Sequence, residues 1–254
     1  LRKEKGLHFD LGEFANSINS NTRLVILNSP HNPTGVVFNK EYLQKLADIL
    51  ADWKDVWVLS DEPYYAFVYE QEFVSIASIK NMLERTIIVD SVSKTYSMTG
   101  WRVGYAINKK LAPVFARMVT NTDSCAPHPN QYAALSALTA SQDSVELMRD
   151  EFRRRRDHIV EGLNKIDGIH CRSPEGAFYA WPDVTELCNQ TGMKDSAELA
   201  SRLLQEAGVA VLADAHFGAP VPNEGQHLRF SYACSIEQID QGLSRIADFI
   251  ASLS

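Results

Sequence analysis

Hydrophobic and polar positions alternate along this chain in two distinct rhythms. Residues 23–28 (RLVILN) form a short apolar run closed by turn-forming residues, the pattern of a buried strand. Residues 40–53 place Leu43, Leu46, Ala47 and Leu50 at helical spacing. A second apolar run follows at 56–60 (VWVLS), a third at 86–90 (TIIVD) and a possible fourth strand at 103–107. Continuous apolar strands separated by amphipathic helices predict βαβ units and a mainly parallel sheet covered on both faces.

Beyond residue 111 the rhythm turns helical as far as about 166, with an alanine- and leucine-rich stretch at 131–139 and one long helix expected over 144–166. That helix carries Arg153-Arg154-Arg155-Arg156. Acidic residues flank the run, which favours a solvated face over a nucleic-acid contact. A Pro174-Glu175-Gly176 turn leads to expected strands at 178–181, 209–212 and 228–232, a helix at 196–207 and a last helix from Ile236. These short mixed elements describe a smaller α+β domain.

Composition narrows the class. The chain has 254 residues, 45% of them hydrophobic, enough to bury a sizeable core. A formal net charge of −7 argues against a basic surface for nucleic acid or anionic lipid. The four cysteines are scattered, without a CxxC pair or a histidine at ligand spacing, so a reduced, cytoplasmic chain without a metal site is expected. No apolar run approaches the roughly 18–20 residues of a membrane span. The chain opens on Leu1-Arg2-Lys3-Glu4-Lys5 and soon enters a strand, so it is expected to be a piece of a longer protein.

In open α/β sheets, ligands gather outside the carboxyl ends of the strands. Three of the expected strands end in polar groups: Asn28 to Gly35 (NSPHNPTG), Ser60 to Tyr65 (SDEPYY), and Asp90 to Gly104 (DSVSKTYSMTGWRVG). Ser91, Ser93 and Arg102 suit a dianionic phosphate. Lys94 beside them is either a second phosphate cation or a nucleophilic amine of lowered pKa, although no P-loop pattern surrounds it. Alone, Asp61 reads as a helix cap, Tyr64 as packing and Asn32-Pro33-Thr34-Gly35 as a β-turn. Together they match one cofactor. A pyridine ring acting as electron sink needs an anion on its nitrogen, which Asp61 supplies. Asn32 and Tyr64 serve its phenolic oxygen, Ser91, Ser93 and Arg102 its phosphate, and Lys94 its aldehyde.

The order NPTG, DEPY, SVSKTYSMTGWRVGY and RFSYA resembles the class I aminotransferases of the aspartate aminotransferase superfamily, in the branch with the SxSK lysine motif. The resemblance implies fold type I: a three-layer α/β/α large domain with a mainly parallel sheet over residues 1–147, and a smaller α+β domain over 148–254. It implies pyridoxal 5'-phosphate as cofactor, bound covalently by Lys94, which is also the general base. Asp61 is the implied partner of the ring nitrogen. Asn32 and Tyr64 match the residues on the phenolic oxygen, and Ser91, Ser93 and Arg102 the phosphate binders. Arg229 matches the arginine that grips the α-carboxylate, with Asn32 near it. The implied reaction moves an amino group between an L-amino acid and a 2-oxo acid, in a homodimer. The family also uses an N-terminal stretch for phosphate, ring and substrate contacts that this chain lacks, so the cofactor site is expected to be incomplete. A carbon–sulfur lyase on the same scaffold, or a cofactor-sensing domain of a transcriptional regulator, are the alternatives. Residues 212–216, with His216, depart from a proline-glycine turn common in relatives, while 176–179 (GAFY) resemble a substrate-facing segment. Trp101 is expected to pack on the sheet.

Overall fold

The computed structural model describes residues 2–219 and 221–253 and divides the chain into two compact units, Leu1–His31 with Val36–Arg149, and Asn32–Gly35 with Asp150–Ser254. The first unit contains α1 (Leu11–Ser17), β1 (Leu24–Asn28), α2 (Lys40–Leu50), β2 (Trp57–Asp61), β3 (Thr86–Ser91), the one-turn α3 (Val92–Thr95), β4 (Gly104–Ile107), α4 (Ala112–Thr122) and α5 (His128–Thr139). Helix α6 (Asp143–Leu163) carries the chain into the second unit.

The sheet of the first unit runs in the order β1-β2-β3-β4. Its first three strands are parallel, and β4 returns antiparallel against β3. Register sets Asn28 beside Asp61, Asp61 beside Val89, and Ser91 beside Gly104. The polar strand ends therefore share one edge. On one face, Val25, Leu27 and Val58 pack against Leu43, Leu46 and Leu50 of α2 and against Ile76, Ile79 and Met82. On the other, Leu24 and Ile26 are 43% and 68% exposed.

Helix α2 starts at an Asn39 cap, whose side chain accepts from the Tyr42 N–H at 2.9 Å. It ends at Leu50, short of the expected Trp53. Arg85 explains the stop: its guanidinium donates to the carbonyls of Leu50, Trp53 and Val56, satisfying acceptors that a longer helix would have used internally.

The second unit adds β5 (Tyr179–Ala180), α7 (Thr185–Thr191), α8 (Ser196–Glu206), β6 (Leu212–Ala213), β7 (Leu228–Ser231) and α9 (Ile236–Ala251). Its strands form an antiparallel sheet in the order β5-β7-β6. The strand expected at 209–212 is a correction: pairing is confined to Leu212 and Ala213. Gly208, at φ +66°, and the Val209 N–H, bonded to the Leu203 carbonyl at 2.9 Å, close the end of α8 instead.

Residues 32–35 pack within this second unit. The Gly35 carbonyl accepts from the Glu175 and Gly176 N–H groups at 3.0 and 2.8 Å. A Cβ on Gly35 would stand 2.3 Å from the Pro174 Cβ, and φ is +71°. The arginine run also needs correcting. Arg154 and Arg155 pair with Glu151 on the surface, but Arg156 is 5% exposed. It falls on the buried stripe of Phe152, Ile159 and Leu163, so its stem packs while its head donates to Asp157 and the Pro174 carbonyl.

Candidate active site

In the first unit the site is built at the carboxyl edge of the sheet. Asp61 ends β2 and does not cap a helix. Its Oδ2 accepts from the Asn28 amide at 3.1 Å, and its carbonyl accepts from the same amide at 3.0 Å. No described residue forms an ion pair with it. Burial, and then the charge of Asp90, raise its pKa above the usual carboxylate range. Asp90 is itself buried and raised by burial, against hydrogen bonds from the Tyr105 hydroxyl and the Ser91 N–H. The next residue, Glu62, is buried too; Ser60 Oγ and Ser75 Oγ donate to its Oε1 at 2.6 and 2.5 Å, and burial raises its pKa. Tyr64 is 4% exposed.

Ser91 is both the last residue of β3 and the cap of α3, where its hydroxyl accepts from the Ser93 N–H at 3.3 Å. This sharp strand-to-helix change presents Ser93 and Lys94 half-buried in the first turn. Arg102 is exposed with φ +54°, its Nη1 donating to the Thr99 carbonyl at 3.0 Å. A cavity of about 480 Å³ is lined by Asp61, Ser91, Asp90, Gly104 and Tyr105. Lys94, Ser93, Arg102 and Tyr64 are not among its lining residues. Trp101, expected against the sheet, is instead exposed, because it lies in the short turn Thr99–Trp101 that precedes the left-handed Arg102.

In the second unit Arg229, on β7, donates from Nη1 to Asn32 Oδ1 at 2.9 Å. The rings of Tyr179 and Phe217 lie 4.5 and 5.1 Å from its guanidinium carbon. Its Nε is buried and has no hydrogen-bond partner among the described residues, a costly state for a charged donor unless a ligand accepts from it. His216 is exposed and its Nδ1 lies 3.1 Å from the Ala213 carbonyl.

Several groups around these residues escaped the sequence reading. Asn28 closed an apolar run, but its pairing with Asp61 comes from strand register. Asp90 ended an apolar run just as Asp61 did. Tyr179 differs from these, since it lies in the GAFY segment that resembles a substrate-facing one, and its ring stands against Arg229. Phe217 offered no local sign.

The family profile described as Aminotransferase class I and II matches residues 1–246. An asparagine–oxo-acid transaminase of Streptococcus mutans is 39% identical over 232 residues, covering 90% of this chain and 58% of the relative. An aspartate aminotransferase of a Bacillus species is 39% identical over 241 residues, covering 94% of this chain and 60% of the relative. The crystal structure of an aspartate aminotransferase from Rhizobium meliloti superposes with a TM-score of 0.91 at 34% identity, covering 100% of this chain and 64% of that one. The chain thus spans about 60% of the length of the relatives it matches.

Proposed function

This chain belongs to the class I and II aminotransferases, and from that premise we propose that it carries the lysine centre of a pyridoxal-phosphate-dependent enzyme moving an amino group between an L-amino acid and a 2-oxo acid. The observation that carries the reading is Asp61. A half-buried carboxylate, oriented by Asn28 and without a described cation, is a strong acceptor awaiting a cationic N–H. A protonated ring nitrogen meets that need, so the residues fit the cofactor.

Pyridoxal phosphate, when bound, supplies an aldehyde that condenses with amines and a ring that accepts the electrons of a breaking bond. Asp61 would hold the proton on the ring nitrogen. Tyr64 and Asn32 serve the phenolic oxygen, while Ser91, Ser93 and Arg102 hold the phosphate. Lys94 Nζ would be the covalent anchor and the base that takes the proton from the substrate Cα. Arg229 binds the α-carboxylate, aided by Asn32, and its unsatisfied buried Nε supports that role. Fixing the carboxylate would decide which bond at the substrate Cα is presented for cleavage. The large cofactor-binding domain is assigned to residues 1–147 and the small domain to 148–254. A homodimer located in the cytoplasm completes the proposal; the four free cysteines support a reducing compartment.

The test uses the full-length protein saturated with pyridoxal phosphate and reduced with borohydride. The cofactor should be recovered on the peptide bearing Lys94. Lys94→Ala should lose that adduct and about 10²–10⁴-fold or more of its transamination rate. An adduct confined to another lysine overturns the assignment.

A further inference from the structure

Around Arg229 runs a series of contacts that the proposed reaction does not by itself require. It begins at Asp214, the first residue after β6. Oδ1 of Asp214 accepts from Ser196 Oγ and from the Ala215 N–H, both at 2.7 Å. Its Oδ2 accepts from the His227 N–H at 3.1 Å. The backbone repeats the link, with the Asp214 N–H donating to the His227 carbonyl at 3.0 Å. One carboxylate therefore ties this turn to the start of α8, at buried Ser196, and to the residue preceding β7.

The same turn delivers an aromatic ring. The Phe217 N–H donates to the Asp214 carbonyl at 2.8 Å, closing the turn. The Phe217 ring stands edge-on to Trp181, with centroids 5.5 Å apart at 87°. Trp181 in turn stacks on the His227 ring at 5.3 Å and 4°. Phe217 thereby reaches the Arg229 guanidinium, although 37% of its own surface stays exposed. A half-exposed phenylalanine on a short turn would otherwise sample several rotamers.

We propose that Asp214 is a positioning residue that, by clamping the turn to Ser196 and His227, holds Phe217 against Arg229 and thereby strengthens its grip on a substrate carboxylate. The inference rests on the reading of Arg229 as the carboxylate-binding residue. An aromatic ring against a guanidinium strips water from one side and leaves the in-plane N–H groups as its donors. A carboxylate then meets a donor already oriented and partly desolvated, where charge pairing is stronger than in water. Asparagine at position 214 is nearly isosteric but keeps acceptor character on one atom only. Its NH₂ would face either the His227 N–H or the pair of donors on the other side, so one arm of the clamp must break.

The experiment measures binding of succinate, a carboxylate without an amine, to the full-length protein loaded with pyridoxal phosphate, by titration calorimetry. Amino-acid KM and kcat are measured in parallel. Asp214→Asn and Phe217→Leu should each weaken succinate about threefold to tenfold and raise KM by a similar factor, with kcat little changed. The double variant should be no weaker than the weaker single one, because both changes act through one contact. Arg229→Ala separates this inference from the one beneath it. If Arg229→Ala leaves succinate binding unchanged, the carboxylate reading and this inference fall together. If Arg229→Ala abolishes binding while Asp214→Asn and Phe217→Leu bind as the parent does, only this inference is overturned. Should Asp214→Asn not fold, Phe217→Leu and Ser196→Ala, which removes one arm of the clamp, carry the same decision.

Discussion

Gly35 illustrates how much one missing methyl group can matter. As the last letter of NPTG it reads as an ordinary β-turn glycine, but its carbonyl takes two N–H groups from the turn after Pro174, and that proline fills the space a side chain would need. Gly35→Ala combines a left-handed φ with a 2.3 Å clash against a rigid ring. It should lower stability by about 2 kcal/mol or more, read as a shift of the urea midpoint at unchanged m-value. Asp61 shows the complementary case. Its place at a strand end was legible, because an acid closing an apolar run must find a partner. That the partner is the Asn28 amide, and that Asp90 adds its charge, depends on strand register, which no local pattern records.

Among the elements, periodicity located helices well and their ends less well. The end of α2 was set by Arg85, thirty-five positions from the Leu50 carbonyl it caps. The segment 209–212 is an apolar run like a strand, yet Gly208 and Val209 are taken by the closing of α8, and only Leu212 and Ala213 pair with β7. Helix α9 is the opposite example, since its start is written locally. Ser235 accepts from the Gln238 N–H at 3.3 Å, and the Gln238 side chain accepts from the Ser235 N–H at 3.2 Å, a reciprocal cap. Ser235→Ala should cost about 1 kcal/mol in chemical denaturation, and Ser235→Asp should restore most of it. Equal stability of Ser235→Ala and the parent would mean that the cap contributes nothing.

Across the whole molecule, buried titratable groups give stability a pH dependence with two opposing parts. Burial lowers the pKa of His31 from 6.5 to about 4. The unfolded chain therefore binds this proton more readily, and His31 should remove stability as pH falls from about 6.5 toward 4. Asp61, Glu62 and Asp90 act with the other sign. Their pKa values are raised in the fold, so their contribution is largest when protonated and is lost as pH rises through those raised values. Comparing the parent with His31→Gln isolates the first part. The variant should lose less stability than the parent across that window in thermal melts at stepped pH, and parallel curves would refute the assignment.

The amino-acid sequence by itself determined the alternation of strands and helices, the order of the chemical motifs and the family to which the chain belongs. Those properties are local, carried by apolar spacing and by residue types a few positions apart. Tertiary structure alone decided which partners meet: Asn28 with Asp61, Asn32 with Arg229, Arg85 with the end of α2, Pro174 with Gly35, and Asp214 with His227. Each joins atoms far apart along the chain, and a hydrogen bond or a close contact depends on distance in space, which sequence spacing does not encode.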